Sequence, residues 1–188
     1  MHIKKFRDLY LTELQELRSG EMQLVVTVRH MAEAASNESL AAALRRHRDG
    51  AQARKERLDR LIQRHGTSQE HSNKAIDALV QEANRLALLL SSEVLRDAGI
   101  ILAVQKLIHY QIASYGAAAA LAGAMELRQD QRELHLGLEE EKHTDLELTG
   151  LAKEEVNPEA AASDEVSEAQ EEKKAEEEGT SKKEVEKA

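Results

Sequence analysis

The feature that most constrains the fold is a stripe near the N-terminus whose spacing alternates between three and four residues. Such spacing places every member on one side of an α-helix. The stripe consists of Tyr10, Leu14, Leu17, Glu21, Leu24, Val28 and Met31. A carboxylate at the centre of a buried apolar stripe is costly unless a metal ion, a cation or a proton neutralises it. The group that neutralises Glu21 therefore bears on whether the protein is an enzyme.

The composition favours an all-helical protein. Aromatic residues make up only 2% of the chain, tryptophan is absent, and Pro158 is the single proline. Because strands favour aromatic and β-branched side chains, this composition predicts an all-α fold. The chain also lacks cysteine, which excludes disulfides, thiolate metal sites and a cysteine nucleophile.

The expected location is the cytoplasm, without membrane contact. The absence of cysteine fits a reducing compartment. The residues before the first amphipathic helix show no secretory signal. The most apolar run, residues 112–125, is shorter than the ~20 residues that a membrane-spanning helix needs.

Charge divides the chain into two parts. Residues 153–188 contain thirteen acidic and six basic residues, and valine is their largest apolar side chain. Such a segment buries too little apolar surface to offset its ordering entropy. We therefore expect a helical domain over residues 1–152 and an acidic, disordered or transiently helical tail over residues 153–188.

Four long helices and one short helix are predicted inside the domain. In chain order they cover residues 4–35, 38–65, 74–90 (the short one), 93–127 and 129–154. Ser36 and Asn37, and later Ser91 and Ser92, provide capping side chains between them. The first two long helices are joined tightly, as are the last two, whereas 27 residues separate these two hairpins. Two hairpins joined by one long crossover form a ferritin-like four-helix bundle.

Ferritin-like di-metal proteins place carboxylates and histidines at the inward positions of all four long helices. The inward stripes of this chain contain four candidate ligands, namely Glu21, His47, Glu141 and Asp145. These residues come from the first, second and fourth long helices, and the third contributes no carboxylate. A Glu-x-x-His pair, which could place two ligands on one helix face, occurs once outside the stripe, as Glu140 and His143.

Three segments resemble a known family. FRDLYLTELQELRSGEMQL, LIHYQIASYG and LEEEKHTDLELTGLA resemble the first, third and fourth long helices of the YciE/YciF-like family of bacterial ferritin-like stress proteins. The resemblance covers about residues 2–152 and agrees in helix order and spacing. It implies a ferritin-like bundle associated with bacterial stress responses. It also carries metal-ligand roles over to Glu21, Glu141 and Asp145.

The chain departs from the family pattern on two helices. The family usually has glutamates where this chain has Ile108 and Gln111. It usually has acidic, histidine or glutamine residues near the positions of Gly50 and Arg54. We therefore do not expect a conventional di-iron ferroxidase centre.

Two interpretations of Arg54 stay open. It falls on the inward stripe of the second long helix, where its guanidinium could pair with Glu21, Glu141 or both. Its charge would then replace that of a lost metal. Alternatively, the side chain extends along the helix to solvent.

We expect a stress-associated ferritin-like protein with a degenerate di-metal site. Its expected role is structural or in protein interaction, without catalytic residues and without a resident cofactor. The alternative is an iron-binding, oxidase-like metalloprotein with a reduced site. That site would consist of Glu21, His47, Glu141 and Asp145, with iron or another divalent metal as its cofactor.

A homodimer is the expected assembly. Gly116 and Gly123 lie among alanines, and each costs helix stability that close approach of another backbone would offset, inside the bundle or across a dimer interface. The second helix is rich in arginine, but the net charge of −9 and the lack of interleaved aromatics argue against nucleic acid as a partner. An unidentified protein partner stays open.

Overall fold

The computed structural model describes residues 3–66 and 71–163, and all regular structure in these two ranges is helical. The helices are α1 (Phe6–Ala34), α2 (Glu38–Arg64), α3 (Lys74–Ala87), α4 (Glu93–Ala124) and α5 (Arg128–Leu151). Each end lies within three residues of the predicted one. The predicted all-α class is confirmed. None of the described helices combines the length and apolarity that crossing a membrane requires.

Polar side chains fix the starts of three helices. Asn37, Asn73 and Ser92 accept hydrogen bonds from the backbone N–H groups three residues later, at 2.9, 3.0 and 3.3 Å. Each cap satisfies a donor that the first helical turn leaves without a partner. Buried Asp97 of α4 also accepts bonds from the backbone N–H groups of Ser36 and Asn37, at 2.9 and 2.7 Å. The short connection between α1 and α2 is thus tied to the third long helix.

The long helices form two antiparallel pairs. Between α1 and α2, Arg18 pairs with Asp59 at 2.5 Å, and Arg7 near the start of α1 reaches His65 just after α2 at 3.3 Å. Between α4 and α5, Gln105 donates to Thr149 at 2.9 Å. In each pair, residues early in one helix meet residues late in the other, as the short connections require.

The core contains two apolar clusters with a polar layer between them. One cluster includes Leu24, Val28, Leu44, Val104, Leu107 and Leu148, and the other includes Tyr10, Leu14, Leu58, Leu61, Leu134 and Leu138. Each of the four long helices contributes to both clusters. On each helix a buried polar or charged residue lies between the two contributions, for example Glu21 on α1 and Glu141 on α5. The polar layer therefore crosses the whole helical core.

A second polar group closes one end of the core. Asp130, at the start of α5, is buried and accepts a 2.8 Å hydrogen bond from the Tyr10 hydroxyl. His65 and Arg64 contact the same carboxylate at 2.6 and 3.1 Å. Burial and the Asp130 carboxylate raise the pKa of Tyr10, which keeps its hydroxyl protonated as a donor. Helices α1, α2 and α5 are thus joined at this end.

The helical segment continues past the boundary that we predict at residue 152. A π-helical turn, Ala152–Val156, follows α5, and residues 157–163 are helical again. Val156 and Ala160 are buried, at 2% and 6% exposed. Val156 belongs to the same apolar cluster as Leu148. The core therefore includes residues of the segment predicted as tail, while residues 164–188 lie outside the described ranges.

We predict that Val156→Ala lowers the free energy of unfolding by about 1.5 kcal/mol, because two buried methyl groups at ~0.8 kcal/mol each are lost. Urea denaturation of the full chain measures this. The control is Leu146→Ala, since Leu146 is 71% exposed and exposed truncations change stability little. If both substitutions left the free energy of unfolding nearly unchanged, Val156 would not belong to the core, and the domain boundary would lie at residue 152 as predicted.

Candidate functional site

Four ionisable side chains meet in the polar layer. They are Glu21 of α1, His47 and Arg54 of α2, and Glu141 of α5, and none of them is more than 3% exposed. The inward stripe of each helix places them there, since α2 presents His47 and Arg54 two turns apart on one face. Three of the four predicted metal ligands, Glu21, His47 and Glu141, thus lie in one layer.

Arg54 lies between the two carboxylates. Its Nε donates a 2.8 Å hydrogen bond to Glu21 Oε1. Its Nη2 lies 2.5 Å from Glu141 Oε1, as an ion pair rather than an aligned hydrogen bond. The interpretation that Arg54 pairs with both glutamates is confirmed, and the alternative that it extends to solvent is wrong. One guanidinium joins α1, α2 and α5 in the middle of the core.

Gly50 makes room for this guanidinium one helical turn earlier on α2. A Cβ at Gly50 would lie 3.1 Å from Arg54 Nη1, closer than ordinary van der Waals contact. Comparison with the family pattern alone marks Gly50 only as a position without a ligand atom. Its second role was readable from the i, i+4 spacing, which places Gly50 and Arg54 on the same face.

His47 and Tyr115 complete the contacts of the carboxylates. His47 Nε2 lies 3.1 Å from Glu141 Oε2. The Tyr115 hydroxyl, from α4, donates a 2.8 Å hydrogen bond to Glu21 Oε1. This bond was not predicted from the sequence. Each of the four long helices therefore contributes at least one side chain to the contacts of the polar layer.

Gly137 of α5 allows Tyr115 to reach this position. A Cβ at Gly137 would lie 2.6 Å from Tyr115 Cε1, a distance that real side chains do not adopt. The aromatic ring therefore lies directly against the α5 backbone. The sequence alone did not reveal this contact, because it depends on the relative heights of α4 and α5.

The two carboxyl groups have opposite pKa shifts. Burial raises the pKa of Glu21, and the Glu141 carboxylate raises it further. The positive charge of Arg54 lowers it, but by less, so the pKa lies above its usual value. Burial also disfavours the charged form of Glu141, but His47 and Arg54 outweigh it and the pKa lies below its usual value. The two glutamates raise the pKa of Arg54 despite its burial. The guanidinium charge is thus permanent, and Glu141 is its more strongly ionised partner.

Asp145, predicted as the fourth ligand, lies outside the layer and is not brought together with the other three. Its side chain is partly exposed at the α4–α5 contact, where Gln105 Nε2 and His109 Nε2 lie 3.1 and 3.2 Å from Oδ1. The position one turn after Glu141 has rotated away from the core centre, because a helix repeats every 3.6 residues and the stripe drifts.

The Glu-x-x-His pair also lies away from the layer. Glu140 is half-buried and accepts a hydrogen bond from Arg57 Nη2 at 2.9 Å, and His143 is exposed.

Gln111 of α4 is fully buried. Its amide lies against the backbone of α1 at Gly20, where a Cβ would lie 2.9 Å from Gln111 Oε1. Within the described part of the chain, neither amide atom of Gln111 has a hydrogen-bond partner. Neither the Glu-x-x-His pair nor Gln111 thus adds a carboxylate to Glu21 and Glu141 in the layer.

The donors present do not match a two-metal centre. Such a centre takes ligands from all four helices, whereas Ile108 has no ligand atom and Arg54 places a positive charge between the carboxylates. Within residues 3–66 and 71–163, no group of three or more histidine, aspartate or glutamate side chains could hold a metal ion.

A surface cavity gives the layer a solvent-facing side. It measures about 320 Å³, lies between α2 and α5, and is lined in part by His47, Gly50, Arg54 and His143. Arg46 and Glu147, which form an ion pair, lie at its edge. The cavity therefore lies next to His47 and Arg54, although both side chains are buried.

Among the described residues, no other backbone comes close to Gly116 or Gly123. In residues 3–66 and 71–163, a Cβ at Gly116 would contact nothing within 4 Å, and the nearest atoms to one at Gly123 belong to the flexible amide of Gln131. Close approach across a dimer interface stays a prediction. Side chains of α4 instead approach Gly20 and Gly137, two positions that were not predicted from the sequence.

Comparison with known proteins identifies relatives over most of the chain. The family described as a domain of unknown function (DUF892) matches residues 5–161. Protein YciF of Escherichia coli (strain K12) is 36% identical over 162 residues, which are 85% of this chain and 98% of YciF. These findings confirm the resemblance to YciF-like proteins.

Two solved structures are similar in fold. The crystal structure of the E. coli stress protein YciF gives a TM-score of 0.76 at 35% identity and covers 82% of this chain and 99% of YciF. YcfI from Rhodopseudomonas palustris gives a TM-score of 0.76 at 31% identity and covers 78% of this chain and 94% of YcfI.

We predict that Arg54→Met destabilises the fold by about 3–5 kcal/mol, although methionine suits a core, because two carboxylates lose their common counter-charge. Chemical denaturation at neutral pH measures the loss. Adding Glu21→Gln and Glu141→Gln to the same chain should recover part of it. A neutral or stabilising Arg54→Met would show that Arg54 is not the required counter-charge.

We further predict that Glu21→Gln and Glu141→Gln respond oppositely to pH. The lowered pKa of Glu141 stabilises the fold above the usual value of 4.5, and this contribution is lost as pH falls through the folded-state pKa. The deficit of Glu141→Gln should therefore shrink as the pH falls below 4.5.

The raised pKa of Glu21 has the reverse effect. It favours the folded state below the usual value of 4.5, and that contribution is lost as pH rises through the folded-state pKa. Glu21→Gln should therefore gain stability relative to the unsubstituted chain as the pH rises. Urea midpoints across the pH range measure both trends, and parallel trends would contradict the assignment.

Proposed function

Because the chain belongs to the family described as a domain of unknown function (DUF892), we propose that it is a ferritin-like protein of the bacterial stress response. Its proposed role is structural or in protein interaction. Its relative YciF is described as a stress protein, and its relative YcfI as a candidate structural protein. The position of a di-metal site is, in this proposal, taken by Arg54.

The directions of the helices support the ferritin-like arrangement. Helix α4 runs antiparallel to α1, since Glu21 meets Tyr115 and Ser36 meets Asp97. Helix α1 is also antiparallel to α2, so α2 and α4 run in the same direction. A chain that leaves the end of one parallel helix must return to the start of the other, and α3 lies in this return. A single long crossover of this kind is what a ferritin-like bundle requires, so these helix directions support that part of the proposal.

The observation that carries the proposal is the ion pair of Arg54 with Glu21 and Glu141. A guanidinium cannot be deprotonated in a protein and repels a metal cation. It neutralises the carboxylates without redox chemistry or open ligand positions. A site arranged in this way maintains the fold but offers no means of activating oxygen, so the proposal assigns no catalytic residue and no resident cofactor.

The competing function is an oxidase-like metalloprotein with a reduced site. It is favoured by the proximity of His47 and Glu141, at 3.1 Å, beside Glu21. A metal there would have to displace Arg54 or bind beside it.

Both proposals include the cytoplasmic homodimer that is expected from the sequence. Sedimentation equilibrium measures the oligomeric state.

We predict that the metal-stripped protein, loaded with Fe(II) under air and desalted, retains far fewer than two irons per chain and consumes oxygen no faster than buffer. Removing the competing cation by Arg54→Gln should increase bound metal, because Glu21, His47 and Glu141 then have no internal counter-charge. Arg57→Gln is the control, since Arg57 pairs with Glu140 outside the layer. Two tightly bound irons with turnover in the unsubstituted protein would establish the metalloprotein instead.

A further inference from the structure

A second cavity lies away from the polar layer, between α1, α3 and α4. It measures about 320 Å³ and has mainly apolar walls, a size at the small end of the ~300–1,000 Å³ typical of ligand pockets. Its walls include Met31 of α1, Val80 and Ala83 of α3, and Ile100 and Ala103 of α4. The crossover helix α3 thus forms one wall of a pocket separate from the described charge cluster.

Arg96 provides a cation at this apolar pocket. It lies on the same face of α4 as Ile100 and Ala103, at i, i+4 and i+7, and it lines the cavity. Its side chain is half-buried, and among the described residues no ion pair or hydrogen bond engages it. The adjacent Asp97 is already bound to Ser36 and Asn37. No described carboxylate therefore neutralises the guanidinium, which fits an anionic ligand.

The rim and the far wall fit the same kind of ligand. His30 lines the cavity from α1, and Arg29 Nη2 lies 3.4 Å from His30 Nε2, so a positive charge lies beside a lining residue. At the end of α3, Leu90 lines the cavity, and Leu88 and Leu89 beside it are 87% and 65% exposed. The apolar surface thus continues beyond the cavity towards solvent.

Gly99 keeps this wall in place. A Cβ at Gly99 would lie 2.4 Å from Leu90 Cδ1, so glycine allows the segment after α3 to close against α4. The pocket is therefore a product of the packing between the crossover and α4.

We propose that this cavity binds a free single-chain amphiphile with an anionic head, such as a fatty acid. The carboxylate contacts Arg96, because a guanidinium presents a fork of donors that matches a carboxylate. The hydrocarbon chain lies between α1, α3 and α4, where its burial provides the favourable free energy. This site is independent of the function proposed for the polar layer.

Isothermal titration calorimetry of the full chain with dodecanoate, below its micelle concentration, tests the proposal. We expect saturable binding at one site per chain. Arg96→Gln should weaken it about tenfold, the usual effect of losing a hydrogen bond to a charged group. Arg132→Gln, which makes the same charge change on an exposed face of α5, is the matched control and should leave binding unchanged.

Two further measurements separate the head group from the chain. Dodecyltrimethylammonium should bind much more weakly, because its charge is opposite. Ala103→Leu, which fills the apolar wall, should reduce dodecanoate binding while urea denaturation verifies that the variant is folded.

Absence of saturable dodecanoate binding would overturn the proposal, as would equal affinity for the cationic amphiphile. The proposal would also be contradicted if neither Arg96→Gln nor Ala103→Leu changed the affinity for dodecanoate. Val26 also lines the cavity. If Val26→Ser abolished a dimer and the unsubstituted protein bound no dodecanoate, the cavity would be assigned to contact with a second copy of the chain. Flotation with anionic vesicles that depends on Arg96, without binding of free dodecanoate, would assign it to a membrane surface.

Discussion

A permanent positive charge in an apolar core requires negative partners close by, and the arrangement around Arg54 meets this requirement with residues from different helices. Glu21 and Glu141 bind the guanidinium, Tyr115 donates to Glu21, and His47 lies against Glu141. Isolated charges of this kind are costly to bury, whereas a group with paired partners is tolerated. The four long helices must therefore meet at one height for any of these charges to be buried.

The backbone adapts to this layer at a few positions. Gly50 gives space to the guanidinium, Gly137 to the Tyr115 ring and Gly20 to the Gln111 amide. Each glycine lies on a helix where alanine would be more stable by itself. The bulky polar groups of the layer are thus accommodated by glycines, on the facing helix for Tyr115 and Gln111 and on the same helix for Arg54.

The sequence predicted the parts of the structure that depend on periodicity within one helix. The helix ranges, the caps at Asn37 and Ser92 and the inward position of Arg54 follow from local spacing and composition. The outward rotation of Asp145, and the contact of Gly137 with Tyr115, depend on how neighbouring helices are rotated and shifted. The burial of Val156 follows from the π-helical turn, whose wider repeat changes which face continues inward. No single-helix pattern contains that information.

The polar layer also fixes the axial alignment of the helices relative to one another. It lies between two apolar clusters to which every long helix contributes. Sliding α2 by one turn, about 5.4 Å, would move Arg54 into aliphatic surroundings and leave both glutamates without a cation. A uniformly apolar seam would tolerate such a slip, much as coiled coils without a buried polar residue lose their fixed alignment. The buried charges thus select one alignment of the helices, and every cavity between them, including the one beside Arg96, has its shape set by that alignment.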